Sequence, residues 1–278
     1  MIRSELKETP FLYRQILTIP SEVNFGLEIE IENVDHEFVL KQINNQFGSQ
    51  FQVKKDISLI KGNNAEIITP VLQNTRKTWE MLKELTELIK TLNPTYDNCS
   101  FQINYDASLL PTIDDKVRFL KLFAVYEDII YRFSKGEDEH YRITLSEYAA
   151  PVIPVIKEYK DKLTDEYLVE EFTSIKGSGV NFKKRRKDLI EFRTPNGTHN
   201  IVLWQNYITT FYYLLKLATN PNIDKKELDK YIDEFNEKYI LELYEIEDIE
   251  KAQKLSSMLF TNELDKKYFM KQYIGLQK

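Results

Sequence analysis

Three glutamates share one face of a predicted β-strand near the start of the sequence. From Phe25 to Glu32, apolar residues alternate with Glu28, Glu30 and Glu32, so the carboxylates point to one side of the strand. Like charges in a row repel one another. The row is therefore either a solvated outer face, which the strand alone favours, or a site where a divalent cation such as Mg²⁺ neutralises the carboxylates.

Two further acids could complete a cation site. Glu66 is the sole charge in the apolar run 65–69, where an unpartnered carboxylate would be costly to bury. Glu191 and Arg193 alternate on one side of the run 190–194. They are either a surface ion pair or a metal ligand beside a guanidinium group that suits phosphate oxygens.

Other basic and nucleophilic residues have more than one interpretation. The run 183–187, which contains Arg186, is first a solvated hairpin loop, second a segment that reaches over nucleotide phosphates, and third, in so acidic a chain, a nucleic-acid-binding patch. Arg142 is either an ordinary ion-pair partner or a contact to a phosphate or substrate carboxylate. Cys99 has no histidine near it in the sequence, which favours a buried thiol over a nucleophile.

Local patterns place these residues on short strands separated by helices. Alternating or β-rich runs predict strands over 24–33, 51–54, 65–69, 101–105, 180–183 and 189–194. Apolar residues at three-and-four spacing predict helices over 75–92, 114–133 and 201–217, and charged amphipathic helices after residue 224. The mixture predicts an α+β fold with helices packed on one face of a sheet.

Composition excludes several classes of protein. The 278 residues include 17 Tyr, 16 Phe and 2 Trp, enough for a sizeable core. The net charge of −6 argues against nucleic-acid binding. One cysteine and three histidines give neither a disulfide nor a zinc-like cluster. The apolar stretches are too short for a membrane span, and residues 1–20 lack the order of a secretory signal, so a cytoplasmic protein is expected.

The ordered set of motifs resembles the putative amidoligase family, a branch of the glutamine synthetase and glutamate-cysteine ligase superfamily. The resemblance runs from about residue 25 to residue 204. It is carried by the segments at 25–30, 55–59, 66–70, 99–101, 179–182, 191–193 and 196–198.

The resemblance implies a curved, mostly antiparallel sheet with a glutamine synthetase-like catalytic fold in residues 1–220, followed by a C-terminal helical appendage in 221–278. It implies an ATP- and Mg²⁺- (or Mn²⁺-) dependent ligase that forms an amide or isopeptide bond through an acyl phosphate, on an amino acid, a peptide or a protein. The metal ligands carried over by motif are Glu28, Glu30, Glu66 and Glu191. Glu30 and Arg193 are the candidate catalytic residues, Arg193 stabilising the transferred phosphoryl group. Arg142, Arg186 and Asn181 are the candidate nucleotide-binding residues.

One motif departs from the family pattern. Gln102 and Asn104 stand where the family strand carries two histidines. Amide oxygens coordinate Mg²⁺ more weakly than imidazole coordinates softer metals, so one cation position is weakened. The alternative function is therefore a degenerate relative that binds a nucleotide or peptide without turnover. The identities of the substrates and the oligomeric state are left open by the sequence.

Overall fold

The structure is a computed structural model. It describes residues 3–59, 62–138, 145–159, 164–175, 177–183, 188–235 and 247–275.

One antiparallel sheet organises the described residues. Its strands are β1 (Asn24–Glu32), β2 (Gln52–Lys54), β3 (Asn64–Ile68), β4 (Leu72–Gln73), β5 (Phe101–Asp106), β6 (Val180–Lys183) and β7 (Leu189–Phe192). The strand order is β2-β3-β1-β5-β7-β6, and β4 pairs with the beginning of β1. Each of these pairings is antiparallel. The predicted α+β class with an antiparallel sheet is confirmed, and β1 lies near the middle of the sheet.

Helices occupy most of the rest of the described chain. They are α1 (Arg3–Glu8), α2 (His36–Phe47), α3 (Arg76–Thr91), α4 (Ile113–Val125), α5 (Glu127–Ser134), α6 (Leu145–Tyr148), α7 (Ile153–Tyr159), α8 (Asp165–Ser174), α9 (Ile201–Ala218), α10 (Lys225–Glu234), α11 (Ile249–Leu259) and α12 (Glu263–Tyr273). None of the helices in the described ranges combines the length and apolar character that a bilayer crossing needs.

The predicted single helix over 114–133 is wrong at one point. Thr112 begins α4 with a capping box, its hydroxyl accepting from the backbone N–H of Asp115. The helix stops at Tyr126, whose φ of −106° and ψ of 17° leave the helical region. A new helix then starts at Glu127, whose buried carboxylate accepts the backbone N–H groups of Val152 and Ile153. This contact fixes the start of α7 against α5.

The core lies between the apolar face of the sheet and the helices α3, α4 and α9. Phe192 of β7 stacks on Phe211 of α9 with ring centroids 4.3 Å apart. Phe101 of β5 stacks on Trp204 of the same helix at 4.9 Å. Burial of each such ring contributes about 1.5–3 kcal/mol. Helix packing on this face holds the sheet rigid and leaves its other face for polar side chains.

The C-terminal helices pack against the same core. Phe269 of α12 stacks on Phe133 of α5 at 4.9 Å, and both rings are buried. Arg14, near the start of the chain, pairs with Asp265 at 2.5 Å, while its backbone N–H donates to Gln205 of α9 at 3.0 Å. The division of the chain into domains at residue 220 stays a prediction.

Candidate active site

The alternation of β1 separates its two sets of side chains. Leu27 and Ile29, at 1% and 0% exposure, face the helices. Glu28 and Glu30 therefore project from the opposite side of the sheet. The predicted strand over 24–33 matches β1, so the sequence pattern placed these two glutamates correctly on one face.

Strand register brings the other candidates to the same face. Residues directly opposite each other on paired strands point to the same side of a sheet. Glu30 is opposite Glu66, Glu28 is opposite Gln102, and Glu191 is opposite both Asn104 and Asn181. We call this set the polar face; its members are Glu28, Glu30, Glu66, Gln102, Asn104, Asn181 and Glu191.

Most of the polar face is shielded from water. Glu30, Glu66 and Glu191 are 5%, 3% and 0% exposed. A buried carboxylate is costly unless it is paired, hydrogen-bonded or protonated. The partners of each acid therefore decide what the site can bind.

Glu66 and Glu28 are held in different protonation states. Burial, together with a hydrogen bond to Glu28, raises the pKa of Glu66 to about 8. The ammonium group of Lys54, whose Nζ lies 2.7 Å from Glu66, acts in the opposite direction but is outweighed. Burial alone would raise the pKa of Glu28 as well. The charge of Lys183 and hydrogen bonds from Glu66 and Asn104 outweigh burial and lower that pKa below its usual range. Near neutral pH, Glu66 thus donates a proton to an ionised Glu28.

The two amides hold the carboxylates through their nitrogens. Gln102 Nε2 donates to Glu30 at 2.9 Å, and Asn104 Nδ2 donates to Glu28 at 2.8 Å. Because an ionised carboxylate can only accept, each amide must turn its NH₂ group toward the acid. The amide oxygens, Gln102 Oε1 and Asn104 Oδ1, are buried and accept no hydrogen bond from the residues that the structure describes.

Glu191 is surrounded by donors. Asn181 Nδ2 and Arg193 Nη1 donate to its Oε2 at 3.0 and 3.1 Å, and Lys183 contacts its Oε1. Arg193 is also anchored through Nε to the carbonyl oxygen of Tyr148 at 2.7 Å. The orientation of the Arg193 guanidinium is therefore set by Tyr148 of α6 and by Glu191 of β7.

A hard cation fits the part of the polar face around Glu30 and Glu66, where Asp56 lies beside them. Glu30, Asp56 and Glu66 each offer one carboxylate oxygen, and these atoms lie within 4.8 Å of one another. The unpartnered amide oxygens of Gln102 and Asn104 are on the same face. Carboxylate and amide oxygens are the ligands that Mg²⁺ prefers, so this donor set suits that ion.

A pocket of about 200 Å³ opens beside Glu28. Its polar lining includes Glu28, Asn104 and Asp106, and its apolar lining includes Ile68 and Val71. A small organic group with a positively charged end would match this lining.

Several functional residues were missed or left untested. Asp56 was not predicted as a ligand, although an acid in the loop between the predicted strands 51–54 and 65–69, close to Glu66 in the sequence, was an available signal. Lys54 and Lys183 were not predicted as site residues either, because each contacts an acid on a neighbouring strand, Glu66 and Glu191 respectively. Asn181 lies on the polar face, but its side chain bonds Glu191. Arg142 and Arg186 lie outside the described residues.

Neither a protein-family model nor a curated protein matches this sequence. Among solved structures, the chain is similar to PafA, from the crystal structure of the complex between the prokaryotic ubiquitin-like protein Pup and its ligase PafA. The alignment covers 92% of this chain and 64% of that chain, with 8% sequence identity and a TM-score of 0.43. At that distance the similarity carries no information on activity or substrate, which have to be argued from the polar face.

Proposed function

We propose that this protein is an ATP- and Mg²⁺-dependent carboxylate-amine ligase. The observation that carries the proposal is the polar face, where four glutamates meet two unpartnered amide oxygens on one side of an antiparallel sheet. The order of the motifs, which resembles that of the putative amidoligases, supports the same class of reaction.

Glu30, Asp56 and Glu66 would hold the cation, with Gln102 and Asn104 offering amide oxygens. When bound, the cation supplies neutralisation of phosphate oxygens during phosphoryl transfer. The metal ligands that the family resemblance implies also include Glu28 and Glu191, which lie on the same face.

The reaction has two balanced steps. A substrate carboxylate oxygen takes the γ-phosphoryl group of ATP, which gives an acyl phosphate and ADP. An amine nitrogen then attacks the acyl carbon, the bond from that carbon to the phosphate oxygen breaks, and the nitrogen loses a proton. Arg193 would neutralise the transferred phosphoryl group, because its guanidinium is already oriented by Tyr148 and Glu191.

The pocket beside Glu28 is the candidate site for the amine substrate. Asp106 and Glu28 both line the pocket and can accept hydrogen bonds from an ammonium group, and the apolar lining suits an aliphatic stem. The amine is therefore an amino acid or a side chain of a peptide or protein.

A second candidate function is binding of a nucleotide or peptide without turnover. It is favoured by the amides at positions 102 and 104 and by the ammonium groups of Lys54 and Lys183 among the acids. The ammonium groups compete with a cation for the carboxylates, and the amide NH₂ groups occupy carboxylate oxygens that a metal would bind, so both features oppose the metal binding that phosphoryl transfer needs.

The test uses purified protein with ATP, Mg²⁺ and mixed amino acids or peptides. Release of ADP and phosphate, together with a product lighter by one water than its two substrates combined, supports the ligase. Glu30→Gln should abolish the release, and Glu84→Gln, which changes an exposed acid on α3, should leave it unchanged. Nucleotide binding without ADP release would favour the second candidate.

A further inference from the structure

Lys183 places an ammonium group between two acids of the polar face. It lies at the end of β6, two residues after Asn181, and therefore on the same side of the sheet. Its Nζ contacts Oε1 of Glu191 and lies 3.4 Å from Oε1 of Glu28. These two glutamates belong to β7 and β1, with β5 between them.

The charges on this half of the face are already balanced. Glu191 is fully buried, and its oxygens contact Lys183 on one side and Asn181 with Arg193 on the other. Two carboxylates, Glu28 and Glu191, thus meet two fixed positive charges, Lys183 and Arg193. A balanced cluster attracts a further cation only weakly.

The other half of the face has a different balance. Three acids, Glu30, Asp56 and Glu66, converge there with one carboxylate oxygen each within 4.8 Å of one another, and Lys54 Nζ lies 2.7 Å from Glu66. Lys54 is 56% exposed at its side chain, so water competes for its charge, whereas Lys183 is 34% exposed. This half therefore offers a divalent cation three converging oxygens, whereas Glu28 and Glu191 already share the ammonium group of Lys183.

We propose that Lys183 is a built-in cation: it occupies a second cation position between Glu28 and Glu191, so that the protein binds a single Mg²⁺, at Glu30, Asp56 and Glu66. The binding of a single Mg²⁺ at Glu30, Asp56 and Glu66 rests on the proposed function, whereas the role of Lys183 rests on the contacts of its own ammonium group. A lysine in this place, together with Arg193, keeps the two carboxylates neutralised at any metal concentration, because both charges are part of the chain.

Removal of the ammonium should expose a second metal site. In Lys183→Met the stem keeps a similar length, but Glu28 and Glu191 are left facing each other with Arg193 as the remaining fixed charge. These two carboxylates then lack a second positive charge, and a divalent cation from solution binds between them. In Lys183→Arg the charge stays, so the number of bound ions should not change.

The experiment counts bound Mn²⁺ by the loss of the free-ion electron paramagnetic resonance signal, with calorimetry of Mg²⁺ as a second measure. We expect one ion for the wild type, two for Lys183→Met and one for Lys183→Arg. Lys116→Met is the matched control, because it removes the same charge from a nearby lysine. Lys116 belongs to α4 and lies over the ring of Phe182, the residue before Lys183 in β6. It should bind one ion.

The outcomes separate this inference from the proposed function. One ion in both the wild type and Lys183→Met, or two in the wild type, would overturn the role of Lys183 and leave the ligase proposal standing. No ion in the wild type and one in Lys183→Met would support Lys183 and remove the site at Glu30, Asp56 and Glu66. No ion in either protein would overturn both.

If Lys183→Met fails to fold, the double variant Lys183→Met with Glu191→Gln removes the buried charge as well. It should bind one ion, and two ions there would overturn the assignment.

Discussion

Glu66 and Glu28 lie diagonally across the neighbouring strands β3 and β1, where each carboxyl group shifts the pKa of the other. Glu66 holds the proton, because burial and the ionised Glu28 raise its pKa to about 8. A proton between two acids ties the stability of the sheet to pH.

The first prediction follows from the sign of that shift. Between pH 4.5, the ordinary value for glutamic acid, and about pH 8, the folded protein holds one proton at Glu66 that the unfolded chain has lost. The contribution of Glu66 to the free energy of unfolding should therefore be full below pH 4.5 and fall through this window, by at most about 1.4 kcal/mol per pH unit. Urea denaturation at several pH values measures it. Glu66→Gln should flatten the dependence, and Glu84→Gln should not; equal slopes in all three proteins would contradict the assignment.

A second prediction concerns stabilisation by metal. Mg²⁺ or Mn²⁺ that binds the folded protein alone should raise its melting temperature. At a hundred times Kd the gain is about 2.7 kcal/mol, or roughly 5–10 °C for a chain of this size. Glu30→Gln and Asp56→Asn should each remove the rise while leaving the metal-free protein at least as stable, because an acid is taken out of a repelling cluster. An unchanged rise in both variants would place the ion elsewhere.

How far the sequence predicts this site can be judged strand by strand. Alternation in β1 placed Glu28 and Glu30 on one face, and the predicted strand over 180–183 coincides with β6. The pairing of Glu30 with Glu66, and the reach of Lys183 to Glu28, depend on which strands are neighbours. Local patterns carry no information on strand order, so these contacts had to come from the structure.

The helices show the same limit of prediction from local sequence patterns. The helix α2 was missed because its apolar side is narrow, with Val39 and Ile43 as its buried residues. The break at Tyr126 was missed because the apolar spacing continues across it, while Glu127 bonds Val152, 25 positions away. Short-range periodicity cannot report a contact at that separation.

A third prediction tests the strand β5. Gln102→His and Asn104→His should each strengthen binding of Mn²⁺ or Zn²⁺ more than binding of Mg²⁺, because imidazole prefers the softer ions. Calorimetric titrations of the wild type and both variants with the three metals provide the comparison. Mg²⁺ serves as the internal control. Identical affinities throughout would show that β5 contributes no ligand to the cation.

The fourth prediction concerns the support behind the site. Phe192 follows Glu191 directly in β7 and is fully buried against Phe211. Phe192→Ala should lower the free energy of unfolding by about 3–5 kcal/mol, through lost burial and the cavity left behind. Phe38→Ala, at a ring that is 51% exposed, is the matched control and should cost well under half as much. Urea denaturation gives both values, and similar losses would mean that the stack adds nothing.

The pair of Arg14 and Asp265 also sets an order of events during protein synthesis. The two residues are 251 positions apart. At about 5–20 residues per second, a ribosome needs roughly 10–50 s to reach Asp265 after making Arg14. The strands of the sheet have all been translated by residue 192, well before this partner exists. The segment around Arg14 therefore leaves the ribosome early, but its pair with Asp265 can form only after the partner helix has been translated.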